Sequence, residues 1–202
     1  EYYGLERDKR ISSFYHFQPC LTNPEVAQVV TQSLLTRMQK HPQQTNISVA
    51  QPDGDDNYCR CSSCATVDMR EGVPMGTMLT FVNAVTMRVV KKHPKLRVGT
   101  LAYMHTRIPP KYVKPHPNVQ IQLCSPRINV LRPMDYPDDE LNLAFARNVR
   151  KWSAMTNYLS FWVYDASFPT YPLPVPNMRA IEPNIRFIVA HKGIGVFMQG
   201  AY

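Results

Sequence analysis

Glycine is scarce in this chain: 8 residues in 202, against 18 prolines. That balance excludes a flexible Gly/Ser linker and points to long ordered loops. No glycine-rich phosphate loop follows any apolar segment, so a dinucleotide-binding site is disfavoured. No run approaches about 18 consecutive apolar residues, which excludes a membrane-spanning helix. Acids are a minority, with 15 Asp+Glu against 23 Lys+Arg and a formal charge of +8. The excess of positive charge permits a polyanionic partner, but the basic residues are scattered. Their densest cluster, Lys91-Lys92-His93-Pro94-Lys95-Leu96-Arg97, closes a predicted helix, where positive charge suits the dipole. Nucleic-acid motifs such as the RRM aromatic signature are absent, and no nucleic-acid partner is expected. A hydrophobic fraction of 44% with 19% charged residues excludes a disordered chain.

What is present is a switching apolar period. Ser13 to Cys20 is aromatic and strand-like. Asn23-Pro24-Glu25 is a helix start, with an N-cap, a proline in the first turn and an early acid. Val26, Val29, Val30, Leu34 and Met38 then repeat on one face until His41-Pro42. A short strand is predicted over Asn46–Ala50, a polar loop over 51–70 and a helix over 77–92. Strands follow at 96–103 and 119–124, a helix from Asp138 to Trp152, and a strand at 158–164. A proline-rich loop, a helix over 181–191 and a strand over 193–198 complete the series. Helices alternating with strands imply parallel pairing and right-handed crossovers. The strands read as apolar on both faces, as in a sheet covered on both sides. The fold expected is a single α/β domain over 1–202, the C-terminal part, about three-quarters, of a (β/α)8 TIM-type barrel. The alternative is an open doubly wound parallel sheet. The opening and closing residues read as mid-domain sequence, so further segments of a larger polypeptide are expected.

Polar residues gather just after the predicted strands. Asp53, Asp55, Asp56 and Tyr58 follow the first; Tyr103 and His105 end the next; Asp165 follows Trp162 and Tyr164; Gln199 follows the last. In a barrel these ends share one face, where active sites lie. Aromatic rings beside carboxylates and amides suit a carbohydrate: rings stack on the apolar faces of sugars, while polar groups bond the hydroxyls. Asp53, Asp55 and Asp165 are the catalytic candidates, since glycoside hydrolysis needs two carboxyl groups about the scissile bond. Tyr58, Tyr103, His105, Trp162, Tyr164 and Gln199 are the substrate-binding candidates. Read one at a time, Asp53-Gly54 is also a turn signal, and Trp162 also suits a core.

Cys59-x-Cys61-x-x-Cys64 brings three thiols together among five cysteines. Such spacing supplies a structural zinc if a fourth ligand joins, for which Cys20 and Cys124 are the candidates. The competing reading is one loop disulfide plus free thiols. Asn46-Ile47-Ser48 matches the glycosylation sequon but opens a predicted buried strand, which favours coincidence.

Several stretches together resemble a known family. They are Glu1-Tyr2-Tyr3-Gly4-Leu5, Gln18-Pro19-Cys20-Leu21-Thr22-Asn23-Pro24-Glu25-Val26, Ile47 through Gly54 leading to Tyr58-Cys59-Arg60-Cys61 and Cys64, Trp162-Val163-Tyr164 and Gly195-Val196-Phe197 with Gln199-Gly200. In order and over nearly the whole chain they are similar to the bacterial domain of unknown function 4838. Part of that family is classed as glycoside hydrolase family 163, similar to endo-β-N-acetylglucosaminidases that cut complex N-glycans. The resemblance implies a (β/α)8 barrel and a retaining, substrate-assisted mechanism in which the sugar's 2-acetamido oxygen attacks the anomeric carbon. It also implies a glycan or glycoprotein substrate and a secreted, periplasmic or cell-surface location. Asp53 matches the family motif. Val163 departs from it, where an acid is expected between Trp162 and Tyr164, and no glutamate follows any predicted strand. A non-catalytic glycan-binding or structural barrel is the alternative.

Overall fold

The computed structural model describes residues 4–6, 9, 10, 18–54, 58–170 and 173–200. Most of the strand expected at 13–20 lies outside them. The fold is α/β, with five helices and a parallel five-stranded sheet. A two-residue pair, β1 (Leu5–Glu6) and β2 (Lys9–Arg10), is antiparallel. The main sheet contains β3 (Asn46–Ser48), β4 (Arg97–Ala102), β5 (Val119–Cys124), β6 (Leu159–Tyr164) and β7 (Gly193–Gln199), hydrogen-bonded in that order. The order follows the chain without reversal, as in barrel winding, whereas a doubly wound sheet reverses at a switch point. Among the described residues the sheet is open at β3 and β7, so no closed barrel is present.

The chain divides into two compact units, residues 1–120 and 121–202. In the first, α1 (Pro24–Lys40) starts as its sequence dictates: Asn23 Oδ1 accepts from Glu25 N at 2.9 Å. Its buried stripe is Val26, Ala27, Thr31, Leu34 and Met38. Val29 is exposed, because a helix at this surface buries a narrower face than the expected one. The loop expected over 51–70 contains α2 (Ser62–Glu71), which Gly72 ends with a left-handed φ of 77°. Next comes α3 (Met75–Val89), whose Leu79, Val82, Val85 and Val89 are fully buried. It packs against α1, α2 and β4.

In the second unit, α4 (Glu140–Met155) is capped by Asp139, which accepts from Asn142 N at 3.2 Å. Phe145, Val149 and Trp152 of α4 are buried, as are Leu159, Phe161 and Val163 of β6. Burial of each large side chain contributes roughly 2–3 kcal/mol. The final helix, α5 (Met178–Ala190), packs on β7.

The expectation of strands apolar on both faces is corrected. Burial alternates in β3, β4 and most of β5, where Ile47, Val98, Thr100, Ala102, Val119, Ile121 and Leu123 are buried and their neighbours are not. In β6, Trp162 and Tyr164 are half-buried on either side of buried Val163. Helices cover one face, and the period of two carries alternate side chains to the other. The sequon's Asn46 and Ser48 are exposed for this reason, and Asn46 Nδ2 donates to Gln120 Oε1 at 3.1 Å.

Candidate metal centre and strand-end residues

Four cysteines converge in the first unit. Cys20 sits just before α1, Cys59 and Cys61 lie on the approach to α2, and Cys64 is in its first turn. Their four Sγ atoms all lie within 4.8 Å of one another. Cys20 Sγ is 3.7 Å from Cys61 Sγ and 3.9 Å from Cys64 Sγ. A tetrahedral zinc with Zn–S bonds of about 2.3 Å sets its sulfurs about 3.8 Å apart, so the spacing fits a metal. It does not fit a disulfide, whose sulfurs lie about 2 Å apart, and none of the five cysteines is disulfide-bonded. Cys20 is therefore the fourth member of the cluster. Cys124 is buried in β5, where its thiol faces Gln122 O at 3.7 Å.

The surroundings favour a metal chemically. Hydrogen bonding to Cys59, then burial, raises the Cys64 thiol far above its ordinary pKa. Burial raises Cys20 as well, with Cys59 and Cys61 adding to it. Such crowded thiols stay protonated unless a cation compensates their charge, and a divalent metal does so. Cys61 caps α2, so the positive end of that helix faces the cluster. The hydroxyl of Thr22 lies 3.2 Å from Cys64 Sγ and 3.4 Å from Cys20 Sγ, placing a second layer of polar contact around the sulfurs.

The N-terminal segment closes tightly on this centre. Gly4 N donates to Gln18 O at 2.6 Å. A Cβ on Gly4 would stand 2.7 Å from Gln18 O and 3.3 Å from Cys59 Cβ, so only glycine fits.

Next to the cluster lie the first unit's strand-end residues. Tyr58 stacks on His105 with ring centroids 4.6 Å apart, and the Arg60 guanidinium sits 4.7 Å from the Tyr58 ring. His105 occupies a 3-10 turn, 104–106, entered through Met104 at a φ of 49°. Tyr103 offers its carbonyl to Gln51 Nε2 at 2.9 Å. Asp53 is exposed at a bend before Gly54, and its carboxylate has no hydrogen bond among the described residues. Asp55 and Asp56 lie outside the described residues. In the nearby wall, burial raises the carboxyl of Asp68, opposed by hydrogen bonds from Thr77 Oγ1 at 2.6 Å and Thr77 N at 3.1 Å.

The second unit gathers its own group at the ends of β6 and β7. Trp162 Nε1 donates to Gln199 Oε1 at 2.9 Å. The Trp162 ring meets Phe197 edge-on at 4.8 Å and Tyr164 at 6.3 Å; Tyr164 meets Phe168 at 5.7 Å. Asp165 follows directly: its Oδ1 accepts from Asn177 Nδ2 at 2.7 Å, and its backbone N donates to Gln199 O at 2.8 Å. Val163, between the two aromatics, points into the core at 7% exposure. Sequence reasoning missed Phe197, Phe168 and Asn177. The parallel register Trp162↔Phe197 would have indicated the first; the other two lie in the proline-rich loop, where Pro174-Val175-Pro176-Asn177 is a stretch that resembles the family and Phe168 carries no further signal.

The model of the family described as Domain of unknown function (DUF4838) matches residues 1–202, and the chain belongs to that family. No curated protein matches it.

Proposed function

We propose that this DUF4838 protein handles carbohydrate as a glycoside hydrolase-like protein acting on N-acetylglucosamine-containing glycans outside the cytoplasm. The observation that carries this reading is the cluster of Trp162, Tyr164, Phe197 and Phe168 with Gln199 and Asp165 at two adjacent strand ends. Exposed rings bind the C–H faces of a sugar ring, while amide and carboxylate bond its hydroxyls. The activity proposed is endo-β-N-acetylglucosaminidase by substrate assistance. The acetamido oxygen attacks the anomeric carbon, one carboxyl polarises the acetamide N–H and another protonates the leaving oxygen. Asp165, already oriented by Asn177, is the carboxyl candidate that the second unit offers, and Asp53 the one that the first unit offers. The test is release of glycans from an N-glycoprotein. Asp165→Asn should abolish it, and an unchanged rate in Asp165→Asn or in Asp53→Asn removes that residue from the assignment. Binding without release would favour the second reading, a glycan-binding domain; Val163 in place of an acid supports that reading.

The four-cysteine cluster is proposed to hold one structural zinc. Four thiolates fill a tetrahedral shell and leave no position for water or substrate, so the ion would staple the chain rather than act on a ligand. Metal analysis finding one zinc per chain supports this, and substoichiometric zinc rejects it.

A further inference from the structure

Among the described residues of the first unit, two side-chain amide atoms are buried without a hydrogen bond. Gln18 is 4% exposed, and its Nε2 has no partner. Gln51 Oε1 has none either. The orientation of Gln51 follows from its other contacts. Its Nε2 donates to the carbonyl of Tyr103 at 2.9 Å and to Thr106 Oγ1 at 2.8 Å. A carbonyl only accepts, so nitrogen belongs on that side and the oxygen is left over. An unmet buried polar group is destabilising, so two on the walls of one cleft call for an explanation.

Both glutamines line one cleft, which Tyr58, His105 and Asp68 also wall, with about 20 Å³ of space inside. That is room for a group the size of one water. The group must accept from Gln18 Nε2 and donate to Gln51 Oε1. A hydroxyl does both. An anion would meet the Asp68 carboxyl and a poorly solvated wall; a cation would face the amide N–H.

We infer that this cleft is a subsite for one hydroxyl of a neutral polyhydroxylated ligand, with Gln18 donating to the oxygen and Gln51 accepting its proton. The identification of that ligand as a sugar rests on the carbohydrate reading above. The cysteine cluster shapes the subsite: Gln18 is two residues from Cys20, and Tyr58 adjoins Cys59. The Met104 backbone, at its left-handed φ of 49°, presents His105 opposite Tyr58.

The test is a titration of the zinc-loaded, isotope-labelled protein followed by NMR at the side-chain amide of Gln18. Glycerol serves as the minimal polyol and N,N′-diacetylchitobiose as the sugar. The expected result is a saturable shift of that amide with both probes. Gln18→Met, checked for unchanged zinc content and melting temperature, should weaken chitobiose binding about tenfold. Chitobiose binding that leaves the Gln18 amide unmoved overturns the subsite while the carbohydrate reading stands. A Gln18 shift with glycerol and no response to chitobiose supports the subsite and rejects the sugar. No shift with either probe overturns the inference and leaves the cleft to a fixed water.

Discussion

The thiols of Cys20 and Cys61 are 41 residues apart in sequence and 3.7 Å apart in space. This contact ties the entry to α1 to the entry to α2. A long loop closed by a metal gains the most from closure, since the unfolded chain loses the freedom to separate its ends.

Removing one ligand should therefore be costly. Cys64→Ser is expected to lose the metal and to destabilise the protein by several kcal/mol, read as a large fall in denaturation midpoint. Cys124→Ala lies outside the cluster and should keep full metal content. Equal metal content in both variants would contradict the assignment of ligands.

The same thiols make metal binding pH-dependent. Binding requires thiolates, so metal affinity should rise with pH and the protein should lose metal on acidification. Cys124 gives a separate, metal-independent signal. Burial pushes its thiol from 9.0 up to about 12, so the folded state holds a proton that the unfolded state releases. Its stabilising contribution is complete below pH 9 and is lost as the pH rises toward 12. Stability of the parent protein should fall relative to Cys124→Ala over that window, by at most about 1.4 kcal/mol per pH unit. Parallel curves would refute the shift.

Glu71 ends α2 as a buried carboxylate. It accepts from Tyr112 N at 2.7 Å and Val113 N at 2.9 Å and pairs with Arg70 at 2.8 Å. Burial alone would raise its pKa; the Val113 and Tyr112 N–H groups and Arg70 outweigh that and hold the carboxyl below its ordinary 4.5. Because the folded value is depressed, its stabilisation is present above pH 4.5 and lost as the pH falls below it. Glu71→Gln should cost about 2 kcal/mol at neutral pH and flatten the acid limb of the stability curve. An unaltered limb would show that Glu71 does not govern it.

Trp162 tests the carbohydrate reading with little structural penalty, since the ring is only half-buried. Trp162→Ala should weaken chitobiose binding at least tenfold, read by calorimetry, and move the melting temperature far less than Trp152→Ala. Trp152 is fully buried, and its truncation should cost about 3–5 kcal/mol.

Much of the fold was legible because local rules and packing agree. Asn23-Pro24-Glu25 and Asp138-Asp139-Glu140 start helices where their caps dictate, and 119–124 is a strand over the expected residues. The α2 helix was hidden because Ser62 through Glu71 is polar, and only Cys64 and Glu71 of it are buried. The one-sided burial of the strands is not legible, because Val, Leu and Trp on the uncovered face look the same in sequence as core residues. At the cluster, CxCxxC named three members, and spacing alone could not choose between Cys20 and Cys124; the turn before α1 decides it in space. Gln18 and Gln51 were invisible, since an unmet amide is a property of its surroundings.

The most direct test of the tetrathiolate centre is X-ray absorption at the zinc edge of the purified protein. One zinc per chain with four sulfur neighbours at about 2.3 Å is the expected result. A shell containing nitrogen or oxygen, or a chain that folds fully without metal and carries a Cys20 disulfide, would contradict it.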